Sequence, residues 1–185
     1  MVEPDKAGHP CLQQWVEEQV GFPVWPVHRL DRPTSGLVLF SLKKSMVHPL
    51  MLQFENRTVT KKYSVLTSIP MDALVHDGTW VHFGVKRPEL FRLDVFDEEV
   101  PLSQRLELNV EVFPKDSLRA TVELKTGRYH QIRAQFAHRH IPILGDVFYG
   151  GESWNQEGIA LHAGELRFQH PVSKEAMQFS VPSPF

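Results

Sequence analysis

This sequence predicts an α+β fold built on a mixed, mostly antiparallel sheet flanked by helices, and three observations lead there. "LELNVEVF" and "LRATVEL" alternate apolar and polar residues strictly, with "PKDS" between them as a turn, so the two runs form a β-hairpin. "CLQQWVEEQV", "HPLMLQFENR" and "TGRYHQIRAQFAHRH" instead carry their apolar residues at helical spacing. Further strand-like runs lie before and after these helices, and strands interrupted by a few helices are the α+β pattern.

In "CLQQWVEEQV", Leu12, Trp15, Val16 and Val20 fall on one helical face. "GFPVWPV" is a connector broken by two prolines, and "GLVLFSL", starting at Gly36, reads as a buried strand. "HPLMLQFENR" is a helix with Pro49 in its first turn, where a missing N–H is tolerated. "KKYSVLTS" is a strand that puts Tyr63 and Val65 on one face. The segment from Pro70 to Gln104 carries weak signals and is expected to hold loops and short strands. In the hairpin, Leu106, Leu108, Val110 and Val112 share one face with Leu118, Ala120, Val122 and Leu124. Ile132 and Phe136, four apart, mark the following helix, and "ALHAGELRF" and "MQFSVP" are the closing strands.

With 185 residues, one domain with a sizeable core is expected rather than two. A hydrophobic share of 42% with 23% charged residues fits a soluble globular chain. No apolar run nears the ~18 residues of a membrane span, and the N-terminus does not read as a signal peptide, so no membrane partner and a cytoplasmic location are expected. The single cysteine, Cys11, excludes an internal disulfide and a thiolate zinc cluster. A net charge of −2 argues against non-specific coating of nucleic acid. The charge is uneven, however: Leu124 to Gly145 holds Lys125, Arg128, Arg133 and Arg139 and no acid, while acids gather between Glu89 and Glu111. That asymmetry suits either solvated faces of opposite sign or a phosphate-binding side.

Chemistry concentrates in two stretches. In "HRLDRPTSGLVLF", Asp31 stands between Arg29 and Arg32, ahead of a tight polar entry made by Thr34, Ser35 and Gly36. A carboxylate at a strand end over a cleft is pushed up in pKa by burial and down by cations. Paired with arginine it stays ionised at neutral pH and suits a nucleophile more than a general acid. As an exposed ion pair it is an ordinary loop residue. In "LKTGRYHQIR", a strand ends at Lys125, Gly127 permits a sharp turn, and a helix start follows, a place able to hold an anion. His130, Arg133 and His138 are spaced to approach one face of that helix. His138 and His140 have the spacing of metal ligands, but the sequence places no third, so packing, hydrogen bonding or phosphate contact is expected and metal is not. Tyr63 alone fits the core as well as catalysis, and "ILGDVFYG" fits a plain turn.

Taken in order, "HRLDRPTSGLVLF", "KKYSVL", "LKTGRYHQIRAQFAHRHIPILGDVFYG" and "ALHAGELRFQHP" resemble the successive motifs of the RluA family of RNA pseudouridine synthases. The resemblance runs from roughly Val27 to the C-terminus, and the Arg32-Pro33 form of the first motif is most similar to TruC-type members that act on tRNA. It implies the pseudouridine synthase catalytic fold and the isomerisation of uridine in tRNA or rRNA to its C-glycoside, without cofactor or metal. It also implies Asp31 as catalytic nucleophile and Arg133 as the arginine that pairs with it and keeps it ionised. Tyr63 matches the tyrosine that lies against the target base and serves in removing the C5 proton. Arg29 matches the arginine that fills the gap left by a flipped nucleotide, and Leu144 the apolar residue beneath the site. Arg32, Lys62, Lys125, Arg128 and His130 complete the expected substrate-binding set, with Lys125 to Arg139 as a phosphate track. Structured RNA, tRNA or rRNA, is the expected partner, recognised by shape, and a monomer is expected.

Family chains carry, before the first motif, a strand with an N-K-P-x-G segment, whereas here the first residues run straight into "CLQQW". Either the start has been trimmed or this is a short variant whose sheet lacks an element. The expectation is one catalytic domain over residues 1–185 without that strand and without an S4-like RNA-binding module. The alternative is a weak or inactive RNA-binding protein of the same fold.

Overall fold

The computed structural model of the chain describes Val2 and residues 11–71 and 78–185. The elements begin with α1 (Leu12–Val20), β1 (Trp25–Pro26), β2 (Ser35–Gly36), β3 (Phe40–Ser41), α2 (Val47–Glu55) and β4 (Thr60–Leu66). Then come β5 (Gly78–Arg87), β6 (Arg92–Phe96), β7 (Gln104–Phe113), β8 (Asp116–Leu124), α3 (Gln131–His138), β9 (Leu161–Gln169) and β10 (Ala176–Ser180). One sheet of eight strands dominates, in the order β10-β9-β4-β8-β7-β5-β6, with β2 joining β9 in parallel; the pairs along the main path are antiparallel. The α+β expectation is met.

The hairpin forms as the alternation predicts. Val110 faces Val122 and Leu108 faces Leu124 across β7 and β8, and Leu106, Leu108 and Val122 are fully buried. In α3, Ile132 and Phe136 are buried, and the Phe136 ring meets Trp80 of β5 with centroids 4.9 Å apart. The helix therefore packs over the β5–β6 side, where Ala134 joins Leu93, Leu106 and Tyr149. Leu50 and Phe54 of α2 pack with Val59, Leu166 and Phe168 at the other end. The closing "SVP" of the last predicted strand extends β10 only to Ser180.

Two expectations are corrected. "GLVLFSL" is not one buried strand but two two-residue strands, β2 and β3, joined by a partly buried bend. Gly36 lies at φ +113 and so close to β9 that a Cβ there would sit 2.4 Å from the Ala163 carbonyl oxygen, and the backbone must then turn away. The next donors bond elsewhere than along one ladder: the Leu37 N–H donates to Ala163 and the Leu39 N–H to Nε2 of His28. Gly36→Ala is accordingly expected to lower stability by more than ~1 kcal/mol, seen as a drop in Tm. The second correction concerns Pro70 to Gln104, which contains the ten-residue strand β5. Its inward positions are Trp80, His82 and Gly84, and two of those three residues do not read as apolar in sequence. Residues 72–77 of that stretch lie outside the described residues. Ahead of Asp31, the described residues hold α1 and β1.

Candidate active site

β4 runs down the middle of the sheet between β8 and β9, with Tyr63 opposite Val122 on one side and Ala163 on the other. Between Lys62 and Tyr63 the β4–β9 register slips, leaving Gly164 as an extra residue, a bulge that re-aims this part of the strand. Lys61 and Tyr63, two apart and on the same face, both point into a cavity of about 460 Å³. Its remaining walls come from the 28–34 loop, the end of α2, the β8–α3 turn, the first residues of α3, and Leu161 of β9.

Asp31 reaches this cavity from a loop that is strapped down on both sides. Its carbonyl accepts the Thr34 N–H at 2.9 Å, and the Pro33 carbonyl accepts the Ile159 N–H at 3.0 Å. The carboxylate lies 3.7 Å from Nη1 of Arg133 through one oxygen and 3.9 Å from Nε2 of His130 through the other. Arg133, 5% exposed, is gripped more tightly by Asp146: Nε and Nη2 donate to the two Asp146 oxygens at 2.8 and 2.9 Å. One guanidinium thus serves two carboxylates. Burial raises the Asp31 carboxyl above the usual carboxylate value, Arg133 opposes the rise, Asp146 adds to it and Arg29 opposes it. Burial is the largest of these influences, and the Arg133 guanidinium is the largest that favours the ionised form. The Tyr63 phenol is pushed up as well, by burial first and then by Asp31, so it keeps its proton at neutral pH.

The β8–α3 turn is held by one buried amide. Oε1 of Gln131 accepts from the Thr126 hydroxyl at 2.9 Å and the Arg128 N–H at 3.0 Å, while its Nε2 donates to the Glu107 carbonyl of β7. That stitching brings Lys125 and Arg128 to the cavity wall, with Arg29 on the opposite loop. The helix itself starts one residue later than the spacing implies, since His130 adopts a left-handed conformation at its N-cap.

Not every expected residue gathers here. Lys62 is not among the lining residues and pairs with Glu165 at 3.7 Å, whereas Lys61 takes the wall beside Arg57 and Phe54. Arg32 is exposed outside the cavity. Leu144 is not in the cavity wall itself but packs against the core cluster that holds Tyr63, Leu124, Ile132 and Leu161, and these last three with Leu30 supply apolar lining. His138 does not share a face with His130 and Arg133: its Nε2 meets Asp97 at 3.0 Å at the far end of α3. There His82, Asp97 and His138 bring ligand atoms within 4.8 Å, the one metal-capable group among the described residues. Burial first, then His138 and Arg139, lower the His82 pKa, and Arg139, stacked 4.6 Å over Trp80, adds a positive charge that opposes a cation. Asp146 and Lys61 were not singled out from sequence. Lys61 was findable as the residue two before Tyr63 on one strand face, but nothing local marks Asp146 as a partner of Arg133.

A family model described as RNA pseudouridylate synthase matches residues 3–138. The chain is 30% identical over 196 residues to tRNA pseudouridine synthase C of Vibrio cholerae serotype O1, covering 94% of this chain and 78% of that protein. With tRNA pseudouridine synthase C of Pasteurella multocida the identity is 33% over 186 residues, covering 89% and 74%. With the dual-specificity RNA pseudouridine synthase RluA of the same organism it is 33% over 177 residues, covering 92% and 78%. Among solved structures, human RNA pseudouridylate synthase domain containing 1 superposes with a TM-score of 0.77 at 22% identity, covering 95% of this chain and 75% of that one, a likeness of fold.

Proposed function

Since this chain belongs to the RNA pseudouridylate synthase family and isomerises uridine to pseudouridine in RNA, we propose that Asp31 is its catalytic carboxylate and that its substrate is tRNA. The observation that carries the site is convergence. Asp31 and Tyr63, from distant stretches, line one cavity, and Arg133, from a third stretch, faces Asp31 without itself lining it. The names of two relatives at about 30% identity support tRNA.

The reaction needs little else. The N1–C1′ bond breaks, the uracil turns, C5 bonds to C1′, the C5 proton is lost and N1 gains one, so no co-reactant enters. The carboxylate acts at the sugar while the apolar walls and the Tyr63 ring hold the loose base. The target nucleotide must leave its stack to reach the cavity, at a cost of a few kcal/mol that a loop position reduces. Because the Tyr63 phenol is protonated, it takes the C5 proton only while passing its own onward. Tyr63→Phe keeps the ring and removes that route. It is expected to lower the rate of C5 tritium release ~100-fold or more with RNA binding within a few fold. Release at the parent rate would remove the hydroxyl from the chemistry.

Lys61, its pKa lowered by burial and by Arg57, serves as a phosphate contact rather than Lys62. Lys61→Met is expected to weaken RNA binding and reduce the slope of log affinity against log salt by about one, with Lys62→Met having the smaller effect. The reverse order would exchange their roles. The substrate is tested by mapping pseudouridine in RNA from cells with and without the gene. Loss confined to tRNA is expected, and loss confined to rRNA would overturn the tRNA assignment.

A further inference from the structure

Tyr149 is used by none of the chemistry above, yet it hydrogen-bonds His130, whose other ring nitrogen approaches Asp31 to 3.9 Å. It is buried, and its oxygen accepts the Leu93 N–H at 2.9 Å. The same oxygen lies 3.2 Å from Nδ1 of His130. The described hydrogen bonds offer the phenol's one proton no acceptor besides Nδ1, which directs it there. In a neutral imidazole the nitrogen that accepts is the unprotonated one, and the hydrogen bond at one nitrogen fixes the proton on the other. The ring proton of His130 is thereby assigned to Nε2, the atom 3.9 Å from Asp31 Oδ1.

Both groups hold the states this arrangement requires. Burial, Arg133 and Lys86 keep His130 neutral, with a pKa near 4 that only Asp146 works to raise. Burial lifts the Tyr149 phenol to about 12, so it remains a donor across the working range. The imidazole is also clamped in place, stacked on Tyr129 at 3.8 Å and edge-on to Phe148 at 6.2 Å. Its backbone sits at φ 50, a conformation a non-glycine residue seldom adopts, and one that sets the ring at the corner where strand and helix meet.

We propose that Tyr149 is a positioning residue that acts through His130, locking the imidazole as the Nε2–H tautomer so that it presents a donor to Asp31. Arg133 faces one carboxylate oxygen and His130 the other, so each oxygen has its own polar neighbour. Without the phenol, the ring is free to carry its proton on Nδ1 and turn a lone pair toward a negative oxygen. This inference rests on Asp31 being the reacting group, so its test starts with a readout that does not involve turnover.

Heteronuclear NMR of the imidazole nitrogens in the parent protein is expected to show His130 protonated on Nε2 and bare on Nδ1, with Tyr149→Phe showing both tautomers. A parent His130 protonated on Nδ1 overturns the proposal and leaves the role of Asp31 untouched. In kinetics, Tyr149→Phe is expected to lower kcat about 10-fold with KM within two-fold, less than the ~10⁴ seen when a triad histidine is left in the wrong tautomer, because Arg133 still faces Asp31. His130→Gln, whose amide supplies a donor without tautomers, is expected to retain more activity than His130→Ala. Adding Tyr149→Phe to His130→Gln is expected to cost little more. If Tyr149→Phe costs as much in the His130→Gln background as in the parent, Tyr149 does not act through His130 and the proposal fails.

Discussion

Asp31→Asn is expected to abolish turnover, to leave RNA affinity within a few fold, and to make the folded protein more stable at neutral pH. The first two outcomes follow from the site: asparagine keeps the size and hydrogen-bonding edge of the side chain but has no anionic oxygen to act at the sugar. The third follows from electrostatics. The carboxyl's pKa is raised in the folded state, chiefly by burial, so its ionised form opposes folding at neutral pH. That penalty fades as pH falls through the folded-state pKa toward the ordinary carboxylate value, where aspartate becomes as neutral as asparagine. Melting curves at neutral and acidic pH are expected to show a higher Tm for the variant at neutral pH and a shrinking difference below. A variant less stable than the parent at neutral pH would mean that Arg133 and His130 outweigh desolvation after all. Near-normal turnover would take Asp31 out of the chemistry.

Arg133→Ala is expected to cost ~3–5 kcal/mol of stability, because it strips a buried carboxylate of its cation. Asp146, 1% exposed, holds Arg133 through both oxygens, and nothing among its described hydrogen bonds replaces that fork. The same change removes the cation that holds down the Asp31 pKa. The rising limb of the pH–rate profile therefore moves to higher pH, and activity falls most at low pH. Arg133→Lys restores the charge without the two-pronged geometry, so it is expected to recover part of the pH profile and less of the stability. Urea unfolding and a pH–rate series separate the two effects. An unchanged profile would leave Arg133 as a partner of Asp146 alone.

How much of this was legible in the sequence depends on the range of the interactions involved. The β7–β8 hairpin and the buried face of α3 could be read because strict alternation and helical spacing are local signals, and Val110, Val122, Ile132 and Phe136 are buried as those signals require. β5 was hidden because its inward face includes His82 and Gly84, the first held by Gln135 at 2.8 Å and the second set tightly against Leu106. The break after Gly36 depends on Ala163, which lies far along the chain, so no reading of "GLVLF" alone shows it. In the site, Asp31, Tyr63 and Arg133 were legible through their motifs. The division of Arg133 between Asp31 and Asp146 was not, since it depends on the segment after α3 bringing Asp146 to the guanidinium. Lys62 was preferred over Lys61 although alternation from Tyr63 already puts Lys61 on the cavity face, and Lys62 instead pairs with Glu165.

The central claim is that an RNA uridine enters the cavity between Tyr63 and Asp31. A crystal structure of the Asp31→Asn protein bound to a tRNA that carries its target tests this most directly. The account predicts one uridine extruded from its stack, its ring against Tyr63 and its C1′ within ~3.5 Å of the residue 31 side chain. A target still stacked in the RNA, or a nucleotide seated elsewhere with this cavity vacant, would contradict it.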